Sequence, residues 1–167
     1  MRTNRPGLIA GLAVAGLAAG CNRGGDTDPP KIAYGQTECE HCKMIVSDEP
    51  FAAALVIVAA DGHVTKYAFD DVGCVLDYLE DRPVSGRAIA YVHDFESKAW
   101  LDADAAVFVR SEALQTPMAS NLAASATLEG AQRLLARYPG GIVRFAELRH
   151  AAAPAADHAT ANGRNHP

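Results

Sequence analysis

The sequence predicts an α+β protein built from two ββαβ units. Three observations carry that expectation. Apolar runs of strand length are separated by turn residues. Two stretches place their apolar side chains on one helical stripe. The order strand, strand, helix, strand then reads twice along the chain.

The first of the 167 residues have a different character. Met1 to Cys21 joins a basic start (Arg2, Arg5) to an apolar run from Leu8 to Ala19 and a small-residue end, Ala18-Ala19-Gly20-Cys21. This is the pattern of an export signal, too short to be read as a spanning helix. A cysteine directly after Ala-Gly resembles a bacterial lipobox, with Ala18 where leucine is more usual. On that likeness residues 1–20 are a signal peptide and Cys21 is the lipidated mature N-terminus; the alternative is an ordinary secretory signal with Cys21 incidental. Asn22 follows Cys21, so the aspartate that commonly retains lipoproteins in the inner membrane is absent, which favours the periplasmic side of the outer membrane.

Residues 21–30 then read as a lipidated end and flexible spacer, because Asn22 to Pro30 is rich in Gly, Asp and Pro with no apolar residue. The formal charge is -5, and loss of Arg2 and Arg5 with the signal takes it to about -7. An acidic body is a poor match for nucleic acid and fits a soluble domain on a tether. Residues 31–148 have the size of one domain, and a 49% hydrophobic composition supports a core.

Within that domain Phe51 to Ala59 is an apolar, β-branched run, Ala60-Asp61-Gly62 a turn, and His63 to Phe69 a second strand, making a hairpin. Asp70-Asp71 then opens a helix, since aspartate accepts from free N–H groups at a helix start. Val72, Val75, Leu76 and Leu79 form its stripe and Arg82-Pro83 ends it. Arg87 to Phe95 is the strand that closes the first unit. The second unit is read as strands at Lys98 to Leu101 and Ala105 to Arg110, a helix from Thr127 to Tyr138, and a strand from Ile142 to Phe145. Thr127 caps that helix, Leu128, Ala131, Leu134, Leu135 and Tyr138 are its apolar face, and Pro139-Gly140-Gly141 is its stop. Residues 149–167 are read as a disordered tail, Ala-, His- and Asn-rich from Ala151.

Chemistry concentrates in Cys39-Glu40-His41-Cys42-Lys43-Met44, which packs two thiols, an imidazole and a thioether into six residues. Thiolate and thioether sulfur select soft ions such as Cu(I) over Mg or Ca. If Cys42 to Met44 runs extended, both sulfurs leave the backbone on one side; Cys39 joins them only if Glu40-His41 turns. Competing readings remain. Structural zinc wants a second CxxC or HxxxH pair, which the chain does not offer. C-type haem wants histidine where Lys43 stands, and a redox CxxC should open a helix after a strand. The plainest alternative is a Cys39-Cys42 disulfide with Met44 as core filler.

Elsewhere, Cys74 points away from the stripe of its helix, which leaves a thiol beside the site open against an ordinary buried cysteine. Met118 lies in a loop-like stretch, Thr116 to Asn121, with no stripe to demand a methionine, and is the best distant partner for Cys42 and Met44. His63 and His93 read as ordinary satisfied histidines. No G-x-S-x-G, phosphate-binding glycine loop or HExxH occurs, so nothing points to an enzyme.

Taken together, the lipobox cysteine, the polar spacer, CEHCKMIVSDEPFAAAL, KYAFDDVGCVLDYL and TPMASNLAA resemble the NosL family, the lipoprotein copper chaperones of nitrous oxide reductase maturation. The resemblance implies two ββαβ units related to part of an organomercurial lyase. It also implies Cu(I) as cargo, ligands Cys42, Met44 and Met118 with Cys39 and His41 as further members, and two partners: apo nitrous oxide reductase and a membrane ABC-type maturation complex. Lys43 stands where the family often has glycine. From another class, the alternative is a lipid-anchored thiol-disulfide or structural accessory protein with a Cys39-Cys42 disulfide.

Overall fold

The computed structural model describes residues 26–152. The readings of a signal peptide, of a lipidated Cys21 and of a disordered tail beyond Ala152 fall outside the described residues.

A continuous apolar run sets the first unit, because both faces of its central strand are covered. Strands β1 (Ala53–Val58) and β2 (Val64–Phe69) form an antiparallel hairpin, and β3 (Arg87–His93) lies antiparallel on the other side of β1. Registers Leu55↔Tyr67 and Leu55↔Ala90 place these three side chains on one sheet face, as a period of two requires. Helix α1 (Val72–Asp81) packs on that face, burying Val75 against Leu55 and Phe69 in one cluster. Each such fully buried side chain contributes about 2 kcal/mol of transfer free energy.

The second unit repeats the plan: β5 (Val107–Arg110), β6 (Leu122–Ser125), α2 (Leu128–Arg137) and β7 (Gly141–Val143), in sheet order β6-β5-β7. In both units the first strand is central and the other two flank it. The α+β class and the duplicated ββαβ order are therefore as expected. Both helices also start as read: the Asp71 carboxylate accepts from the Gly73 N–H, and the Thr127 hydroxyl from the Gly130 N–H.

Several details differ from the sequence reading. The strand at Lys98 to Leu101 is β4 (Trp100–Asp102), and it pairs with β3 to extend the first sheet to β2-β1-β3-β4. The strand that completes the second unit is β6, whose sequence Leu-Ala-Ala-Ser is too short and too small-sided to show alternation. The last strand stops at Val143, and Phe145–Ala152 forms a helix, α3, packed against α1. That helix carries the domain through Arg149 and His150, which the reading had placed in the tail. Phe145 and Leu148 on α3 join Leu55, Val75 and Phe108 in one buried cluster, so the two units share a core.

The stretch read as a spacer is also structured from Asp26 onward. Asp26 meets Lys66 on β2 at 2.8 Å, the Tyr91 hydroxyl of β3 donates to the Thr27 carbonyl at 3.0 Å, and Tyr34 reaches His93. Lys66, Tyr91 and His93 share the face of the first sheet opposite α1. Residues 26–34 thus strap that face, where Val56 and Ala54 are fully buried.

His93 anchors the strap. Its Nδ1 lies 2.6 Å from the Lys98 carbonyl, which only accepts, so Nδ1 carries the proton and Nε2 accepts from the Tyr34 hydroxyl at 2.9 Å. Trp100 lies against the ring, with centroids 3.7 Å apart. Burial pushes the imidazole below its ordinary value of 6.5, against the opposing pull of the Lys98 carbonyl. A depressed histidine means that the unfolded chain takes up its proton first. The stabilisation is therefore complete above pH 6.5 and is lost as pH falls from there through the folded value. Denaturant unfolding from about pH 7 to pH 5 should show this loss, and His93→Gln should flatten that part of the profile.

Candidate metal centre

Three separate segments converge on the site. The first is the loop before β1. Gly35 and Val46 exchange backbone hydrogen bonds with the opposite arm, Glu38 bridges Ile45, and the Cys39 N–H donates to the Met44 carbonyl at 2.8 Å. The chain therefore reverses over Glu40-His41-Cys42, closed by the Lys43 N–H donating to the Cys39 carbonyl at 3.1 Å. This is the turn that Cys39 needs to share a site with Cys42. It requires Lys43 to take φ 64°, the left-handed region that glycine enters without cost. Glycine would hold that angle without strain, whereas lysine holds it at a cost.

The second segment is the first turn of α1, which brings Cys74. Its N–H donates to the Asp71 carbonyl at 3.0 Å. The Sγ atoms of Cys39, Cys42 and Cys74 all lie within 4.8 Å of one another, and all three are free thiols. Cys39 and Cys74 are fully buried, while Cys42 is partly open. Within the trio the Cys74 thiol donates to Cys39 and holds its thiol well below the ordinary value; burial opposes this, and the N–H groups of Asp70 and Cys42 add to it. Cys74, as the donor to that sulfur and a buried group, is pushed up. Burial also raises Cys42.

The third segment is the loop from Thr116 to Asn121. Its Met118 N–H donates to the Asp71 carboxylate at 3.3 Å, and the Thr116 hydroxyl accepts from Asn121. Asp70 makes the matching tie on the other side, its carboxylate accepting from the Ser47 N–H at 3.3 Å.

Of the residues singled out from sequence, Cys39 and Cys42 come together with Cys74. Met44 and Met118 have exposed side chains, at 54% and 39%. His41 faces α1, with Nε2 3.9 Å from the Asp77 carboxylate. Cys74 was singled out only as a thiol beside the site, and its offset from the apolar stripe was the signal for more. The tertiary packing turns that side of α1 inward on the Cys39 loop.

The NosL family profile matches residues 31–153. The chain belongs to the NosL family. The fold is similar to the crystal structure of the copper chaperone NosL from Shewanella denitrificans, with TM-score 0.63 and 19% identity over 75% of this chain and 98% of that one. No curated protein matches the chain. NosL is a copper chaperone family rather than an enzyme family, and three converging thiols in a NosL member fit copper binding.

Because Lys43 bears left-handed strain and its Nζ makes only an exposed pair with Glu40 at 3.5 Å, Lys43→Gly should leave the site intact. Its unfolding free energy should rise by up to about 1 kcal/mol, measured by denaturant unfolding of the metal-free protein.

Proposed function

We propose that this chain is an extracytoplasmic carrier of Cu(I), anchored by lipid at Cys21, that hands copper to apo nitrous oxide reductase in concert with a membrane ABC-type complex. The observation that carries the reading is the trio Cys39, Cys42 and Cys74, half-open at Cys42, with the exposed thioethers of Met44 and Met118 in the flanking segments. Thiolate and thioether are the donors that favour Cu(I) over harder or more highly coordinated ions.

The arrangement suits transfer as well as capture. Cys39 and Cys74 lie inside the protein and hold an ion by short, fixed segments, whereas Cys42 and the methionines face outward where an acceptor ligand enters. Copper is the cargo, passed sulfur by sulfur without any change in the carrier beyond its protons. A thiol that takes up the ion gives up its proton, so loading the trio releases protons to solvent.

Anaerobic Cu(I) titration of the reduced full-length chain in detergent, in competition with a chelator, should give tight one-to-one binding with proton release. Cys42→Ser, Met44→Leu and Met118→Leu should each weaken it by about tenfold or more while the fold persists by circular dichroism. Unchanged affinity in Cys42→Ser and Met44→Leu would sink the ligand assignment. If the purified chain instead carries a stable Cys39-Cys42 disulfide and binds no Cu(I) after reduction, the thiol-disulfide accessory reading replaces this one. Delivery is checked by mixing the loaded chain with copper-free nitrous oxide reductase and the ABC-type complex, where copper should appear in the reductase.

A further inference from the structure

Asp71 does more than start a helix. Its carboxylate is almost fully buried, and its two oxygens have different tasks: Oδ1 accepts from the Gly73 N–H at 2.7 Å, and Oδ2 accepts from the Met118 N–H at 3.3 Å. One oxygen fixes the turn that carries Cys74; the other fixes the backbone of Met118, 47 residues later.

Apart from this tie, the loop is fastened at its base, where the Ser111 N–H donates to the Asn121 carbonyl at 2.9 Å, and by bonds within itself such as that from the Ala119 N–H to the Thr116 carbonyl at 3.1 Å. Ala119 and Asn121 both take left-handed backbone angles, at φ 56° and 59°, a cost that outside contacts must offset. Thr116 contacts Ser120 and Asn121 within the loop itself. The approach to α1 is so close that a Cβ at Gly73 would sit 3.0 Å from the Ser120 Cβ and 3.3 Å from Asp71 Oδ1. Glycine at 73 lets the loop dock; the second carboxylate oxygen of Asp71 sets where it docks.

We infer that Asp71 is a positioning residue for copper binding, locking the Met118 loop to the α1 turn so that the thioether of Met118 is presented at a fixed place beside the thiol trio. The inference rests on Met118 being a copper ligand, as proposed above. Asparagine is as good a helix cap as aspartate and nearly the same shape. In Asp71→Asn the amide oxygen still serves Gly73, but the amide nitrogen opposite Met118 only donates. The cap survives and the tie to Met118 is lost.

The test is a double-mutant cycle in the full-length chain, with Cu(I) affinity measured anaerobically for wild type, Asp71→Asn, Met118→Leu and the double variant. Asp71→Asn should weaken Cu(I) by about tenfold, and the double variant should bind no more weakly than Met118→Leu alone. In the metal-free protein, amide exchange at Met118 should quicken in Asp71→Asn while the amides of α1 keep their protection. If Met118→Leu binds like wild type, the ligand reading of Met118 fails, and the positioning role with it. If Met118→Leu is weakened but Asp71→Asn is not, or the two losses add in full, the positioning role alone is overturned. Asp71→Ser, which keeps a capping hydroxyl but is too short to serve both N–H groups, guards against a failure peculiar to asparagine and should give the same pattern.

Discussion

Two adjacent buried carboxylates, Asp70 and Asp71, tie the structure together where β2 passes into α1. Asp70 holds the loop before β1 through Ser47 and lends its own N–H to the Cys39 sulfur. Asp71 holds the α1 turn through Gly73 and the distant loop through Met118. The segments that carry Cys39 and Cys42, Cys74, and Met118 are thereby fastened to the same two residues. Burying carboxylates is costly unless their oxygens are occupied. Here backbone N–H groups of three segments occupy them, and burial still pushes the Asp70 carboxyl up. That cost makes the junction specific: any arrangement that misplaces a segment leaves a buried oxygen without a donor.

The rest of the fold supports this junction. The first sheet gives α1 a flat apolar floor, and the strap from Asp26 to Tyr34 covers the reverse face. The second unit is joined through Asp94, whose carboxylate accepts from the N–H and hydroxyl of Ser97 and from the Ala126 N–H, next to the bridge with Ala124. Phe108, Phe145 and Leu148 then extend the first unit's core into the second, whose other sheet face packs Val107 and Val109 with Leu134 in a cluster of its own. The Thr116–Asn121 loop leaves β5 within that frame, so its reach toward α1 is set by the docking of one unit on the other.

The chemistry follows from unequal burial. Closing all the sulfurs inside the protein would make a structural site that retains its ion; leaving them all in water would forfeit the fixed geometry. Cys39 and Cys74 lie inside, Cys42 is partly open and the thioethers of Met44 and Met118 are exposed, a division that suits the proposed carrier. Within the trio the Cys39 thiol is held low by its neighbours while Cys74 is pushed up, so the sulfurs are electrostatically unequal.

By itself the sequence determined what depends on near neighbours. The hairpin and the starts of α1 and α2 follow from apolar patterning and from capping aspartate and threonine, whereas the turn between Cys39 and Met44 was left open until the backbone of Lys43 closed it. The blocks around Cys42, Asp71 and Met118 also carried the family. Tertiary structure alone decided what depends on distant partners. Trp100–Asp102 joined the first sheet because β3 offered a free edge, and Leu122–Ser125 became a strand because β5 lay beside it. Asp26–Tyr34 took order from Lys66, Tyr91 and His93. Cys74 met Cys39 only once Asp70 and Asp71 had brought a loop and a helix to one point. Short segments without a periodic pattern have no local preference strong enough to set their structure, so the surface they pack against sets it for them.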